Sequence, residues 1–113
     1  MKQGDEIIWT YRPDGKKGTQ ISRAQYNLLA SFILNVLNAH EEVTLQQLLE
    51  KAQAEISESI DSDVAWYILQ VKLDLEARDL VRVISSSHNR RLFLLKITRA
   101  GQKRIRLEKQ LSA

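Results

Sequence analysis

The sequence predicts an α+β fold: a helical core closed by a C-terminal β-hairpin, with a further hairpin at the N-terminus. Three observations lead to it. Val64, Ile68, Val71 and Leu75 recur at steps of four and three, which puts them on one face of a helix that must meet a core. Directly after it, residues 80–85 and 91–97 are rich in Val, Ile, Leu and Phe, and the turn-forming stretch 86–90 separates them, so they read as two paired strands. Near the start, Pro13-Asp14-Gly15 sits between two short extended stretches. Pro presets its own φ and Gly takes a positive one, so a hairpin turn is expected there.

In chain order, residues 6–11 form a strand that returns through 19–21. Gly15-Lys16-Lys17-Gly18 lacks the spacing of a phosphate-cradling loop and reads as a solvated turn. Ser22 with Gln25 three residues later is a capping-box signature. It opens a helix with apolar positions Leu28, Leu29, Phe32, Ile33, Val36 and Leu37. Thr44 and Gln47 repeat the box ahead of an amphipathic helix carrying Leu45, Leu48, Leu49, Ala52 and Ile56, and Glu42-Val43 between the two helices suits a short strand. Residues 57–61 make a turn, and Asp61 or Ser62 is expected to cap the third helix. That helix ends near Arg78 and Asp79, with Asp79 where a left-handed backbone is needed. Thr98 caps a last helix from 99 to about 110, whose few apolar groups are Ala100, Ile105, Leu107 and Leu111. Residues 1–21 are thus a hairpin decoration on a domain of residues 22–113, the whole forming one structural unit.

Composition bounds the function classes. A chain of 113 residues, 43% hydrophobic and 27% charged, suits one domain with a single core. With no cysteine there is neither a disulfide framework nor a thiolate metal site. The start lacks the apolar stretch of a signal peptide, no run is long enough to span a bilayer, and the expected location is cytoplasmic with no membrane partner. His40 and His88 stand in no metal-binding pattern, no activated nucleophile is evident, and paired acids such as Glu41-Glu42 suit helix starts. The expectation is a protein that is not an enzyme, with no catalytic residue, metal or cofactor. The net charge of +3 hides a strong asymmetry: residues 1–39 carry five basic and three acidic groups, 40–79 three and ten, and 80–113 nine and one.

Leu75-Glu76-x-x-Asp79-Leu80-Val81, a hairpin with Arg90-Arg91 at its tip, and Ile97-Thr98-x-x-Gly101 follow one another in the order found in winged helix-turn-helix proteins. Over residues 22–111 the chain resembles MarR-like and PadR-like regulators, and residues 73–79 also resemble a motif of small bacterial winged-helix proteins of no assigned function. It departs from them in carrying Asp79 where they usually have glycine. The resemblance implies a DNA-associated regulator, with double-stranded DNA as partner.

The third helix is poorly suited to read a groove. Its face opposite the core holds Trp66, Leu69, Leu73 and Ala77, flanked by Lys72 and Glu76 on one side and Gln70 and Asp74 on the other, and carboxylates precede it. Large apolar side chains there expect a cover, either the N-terminal hairpin or a second subunit, and burial of Trp66, Leu69 and Leu73 is predicted. Phosphate contacts then fall to the hairpin tip and last helix: Arg90, Arg91, Arg99, Lys103, Arg104 and Arg106. The alternative is a protein-interaction or homodimerisation module that uses Trp66, Leu69 and Leu73 and touches no DNA.

Overall fold

The computed structural model describes residues 6–40, 42–60, 63–85 and 93–112, the side chains of 111 and 112 excepted. Its elements run β1 (Ile7–Tyr11), β2 (Lys17–Ser22), α1 (Arg23–Ala39), β3 (Val43–Thr44), α2 (Leu45–Glu55), a 3-10 turn (Ser57–Ser59), α3 (Val64–Ala77), β4 (Val81–Ser85), β5 (Phe93–Ile97) and α4 (Arg99–Ser112). The fold is α+β. Among the described residues β1 and β2 form one antiparallel sheet, and β3, β5 and β4 form a second in that order.

Local chemistry sets the element ends. Ser22 Oγ accepts from Gln25 N at 3.1 Å, and at α2 both arms of the capping box close, Thr44 Oγ1 from Gln47 N at 3.0 Å and Gln47 Oε1 from Thr44 N at 2.9 Å. The cap of α3 is Asp63, not Asp61 or Ser62. The helix begins one residue later than its polar lead-in suggests, and the Asp63 carboxylate accepts from Trp66 N at 3.3 Å; Asp61 and Ser62 themselves lie outside the described residues. Among the described residues two left-handed ones turn the chain: Gly15 (φ 89°) in the β1–β2 turn and Asp79 (φ 60°) after α3.

Leu29, Ile33 and Leu34 of α1 pack with Ile68, Val71 and Leu75 of α3, and Leu48, Val81, Leu95 and Ile105 bring in α2, the sheet and α4. Burying such a side chain contributes about 1.5–3 kcal/mol. Leu28, one step around α1 from Leu29, falls outside the buried stripe and is exposed, as are Ala100 and Leu107 of α4; that helix docks instead through Gly101 and Ile105. Gly101 is required where α4 crosses the sheet. A Cβ there would lie 2.5 Å from the Leu80 carbonyl oxygen and 2.7 Å from Ile97 Cγ1. Thr98 locks the crossing, its hydroxyl donating to Asp79 O at 2.8 Å and accepting from Gly101 N at 3.1 Å. No helix among the described residues is long and apolar enough to cross a membrane.

The N-terminal hairpin packs into this body. Ile21 and Thr10 are buried, with Thr10 Oγ1 accepting from Thr19 N at 2.9 Å, while Ile7, Trp9 and Tyr11 alternate on the outer face of β1. In a two-stranded sheet alternate N–H groups of β1 point away from β2. That of Tyr11 reaches α3, where it donates to Asp74 Oδ1 at 2.9 Å.

Candidate functional site

Two cationic surfaces emerge from this packing. The first centres on β4, β5 and the start of α4. At about 100° per residue, Arg99, Lys103 and Arg106 share one side of α4, and all three are exposed. Arg104 points elsewhere: its Nε bonds Glu108 Oε2 at 3.2 Å, and Ser31 of α1 donates to the other oxygen of Glu108 at 3.0 Å. The six residues expected to meet phosphates therefore do not form one set. Arg99, Lys103 and Arg106 lie together, Arg104 faces α1, and Arg90 and Arg91, with His88, lie outside the described residues.

Two cations that sequence reasoning passed over complete this surface. Arg82 and Lys96 stand directly opposite each other in the β4–β5 ladder, and with Arg99 they line a concavity of about 520 Å³. Like charges directly opposed destabilise a ladder unless an anion lies between or near them. Asp79 answers only one of them, at 3.5 Å from Arg82. The signal available in sequence was the alternation along each strand; the register that sets 82 against 96 was not.

The second surface is a cleft of about 470 Å³ bounded by β1, α1, α3 and α4. Arg23, Arg78 and Arg104 line it together with Trp9, Tyr11 and Tyr26. Beneath it Asp74 is fully buried, Oδ1 accepting from Tyr11 N and Oδ2 from both the Tyr26 hydroxyl and Arg78 Nε, the last at 2.8 Å. Among the described residues no buried side-chain polar atom lacks a partner. A buried carboxylate is tolerated because donors surround it. Burial, then the bond to Asp74, pushes the Tyr26 hydroxyl up to about 12, so at neutral pH it is a donor. Arg78's own bond to Asp74 raises the guanidinium above its ordinary range. Arg78 also lies over the Tyr11 ring, 5.5 Å from its centroid, and Lys17 lies 5.1 Å from that of Trp9.

On α3, Asp74 is thus no free flank of a groove-facing surface, and Lys72 and Glu76 pair at 2.7 Å while largely sequestered. The burial expected for Trp66, Leu69 and Leu73 is only partly met. The two leucines are half-buried, whereas Trp66 is 42% exposed, its ring edge-on to Tyr67 at 4.9 Å. Tyr11 meets α3 at Asp74 and Arg78, two turns or more beyond Trp66, so the cover does not reach the first turn. Among the described residues no three His, Asp or Glu side chains converge as metal ligands would.

Comparison with curated proteins gives no match, and neither does comparison with solved structures. Residues 7–92, from the first residue of β1 through α3 and β4, match the family described as "Family of unknown function (DUF6958)". That span includes the N-terminal hairpin and the Asp74 cluster, and it exceeds half of the chain, so this protein belongs to that family.

Proposed function

We propose that the chain is a winged-helix protein that associates with double-stranded DNA through phosphates, a binding protein and not an enzyme. The element order α1, β3, α2, α3, β4, β5 and the sheet order β3-β5-β4 support the winged-helix reading. The observation that carries the DNA reading is the group of Arg82, Lys96 and Arg99 beside the exposed stripe Lys103 and Arg106. Such a surface attracts a polyanion by releasing its counterions. Arg90 and Arg91, expected from the sequence at the hairpin tip, would add to the same charge. Sequence discrimination is expected to be slight, because the outer face of α3 presents Trp66, Leu69 and Leu73 where base-reading donors would stand, and Lys72 is paired with Glu76.

Fluorescence anisotropy against mixed-sequence duplex DNA at several salt concentrations tests this. Affinity should fall steeply with salt, with a log–log slope corresponding to about three to five phosphates. The pair Arg82→Glu and Lys96→Glu should weaken binding about tenfold or more, and Gln70→Ala should be silent. No binding at low salt, or a silent charge reversal, would remove the reading. A second reading is favoured by one observation, the exposure of Trp66 beside the half-buried Leu69 and Leu73: this face of α3 then serves as a homodimer or partner interface.

A further inference from the structure

The cleft over Asp74 has the chemistry of a ligand site distinct from the phosphate surface just described. Its three guanidiniums come from α1, the residue that ends α3, and α4, and each is paired through Nε: Arg23 with Glu6 at 2.5 Å, Arg78 with Asp74 at 2.8 Å and Arg104 with Glu108 at 3.2 Å. None of these carboxylates lines the cleft, whereas all three arginines do. The lining of the cleft is therefore cationic, with the paired carboxylates outside it. An Nε contact also leaves the terminal nitrogens of the fork as donors for a second anion.

The other wall is aromatic. Trp9 and Tyr11, two residues apart on the outer face of β1, are 42% and 44% exposed, and Tyr26 closes the floor with its hydroxyl engaged by Asp74. Lys17 lies over one face of Trp9 and Arg78 over one face of Tyr11, so a planar ligand would stack on the opposite face of either ring. A volume of about 470 Å³ suits one ring-bearing group rather than a bulky ligand.

We propose that this cleft binds a nucleoside monophosphate unit, its base stacked on Trp9 or Tyr11 and its phosphate among Arg23, Arg78 and Arg104. The unit could be a free nucleotide or one residue of a single strand, since both present a planar base and a phosphate. Arg78 positions Asp74 as well as facing the cleft, so Arg104 and Trp9 are the sites to vary.

Calorimetric titration of the full chain with AMP, adenosine, inorganic phosphate and a single-stranded tetradeoxyadenylate tests the proposal. AMP should bind about tenfold or more tighter than adenosine or phosphate alone, and should shift the indole N–H resonance of Trp9. Arg104→Gln and Trp9→Leu should each weaken AMP binding about tenfold. Trp9→Leu keeps an apolar side chain on β1, and a Trp9→Tyr variant, which restores a stacking face, should recover most of the affinity. Arg82→Glu with Lys96→Glu should leave AMP binding intact, so failure of the duplex reading and failure of this one are separately visible. A tetranucleotide no tighter than AMP supports the free nucleotide as the source, and a tighter one supports the strand. Phosphate binding as tightly as AMP, or full affinity in both single variants, would overturn the proposal.

Discussion

Asp74 shows how one side chain ties distant parts of this chain together. Its partners lie 63 residues away at Tyr11, 48 away at Tyr26 and one helical turn away at Arg78. Leaving a buried donor without its acceptor costs about 1–3 kcal/mol, so the cluster stabilises mainly by being complete. Tyr26 adds a pH dependence whose sign follows from its raised value. Between its ordinary pKa of 10 and about 12 the folded protein holds a proton that the unfolded chain has lost, so this contribution is full below pH 10 and disappears as pH rises toward 12. The two values correspond to about 2–3 kcal/mol. Urea unfolding followed from pH 9 upward should show stability falling more steeply in the wild type than in Tyr26→Phe, which lacks the titrating group. Parallel curves would show that Tyr26 is not held as described.

Two element junctions make further demands. Where α4 leaves β5, the helix backbone passes so close to Leu80 that only a glycine fits at 101, and the clash of an added Cβ is with backbone that cannot swing aside. Gly101→Ala should therefore destabilise by about 1–3 kcal/mol even though alanine favours a helix by about 1 kcal/mol. A melting temperature unchanged or raised in this variant would mean that α4 sits farther from the sheet. The hairpin is the other junction. With Ile21 buried against α1 and Tyr11 N bonded to Asp74, removing it uncovers apolar surface and strips a donor from a buried carboxylate. A chain of residues 22–113 is expected to lose cooperative thermal unfolding by circular dichroism. A sharp transition near that of the full chain would restore the hairpin to the status of a decoration.

Taken whole, the molecule is electrically polarised, with the acidic groups concentrated in residues 40–79 and the basic ones in 80–113. A basic C-terminal segment favours association with anions. The exposed Trp66 lies on α3, whereas Arg82, Lys96 and Arg99 lie on β4, β5 and α4, so the interaction reading and the phosphate reading draw on different elements. In the interaction reading, light scattering at micromolar concentration should give about twice the chain mass of 13.0 kDa, and Trp66→Lys should halve it. A single-chain mass at every accessible concentration would count against a homodimer.

Much of this architecture was legible before any coordinates, because it depends on neighbours in sequence. Helix periodicity, the Ser22 and Thr44 caps, the left-handed Asp79 and the Gly15 turn are all decided within a few residues. Even the Asp74–Arg78 pair could be read from its spacing of four. Tertiary packing decided the rest. Whether Asp74 faces water or Tyr26 depends on how α3 rotates against α1, and strand register puts Arg82 opposite Lys96. The docking of α4 through Gly101 and Ile105 separates Arg104 from the stripe of Arg99, Lys103 and Arg106 and brings it to Arg23 and Arg78. These choices follow from burying the largest apolar area without stranding a polar group, a balance struck over the whole core at once and invisible to any short window of sequence.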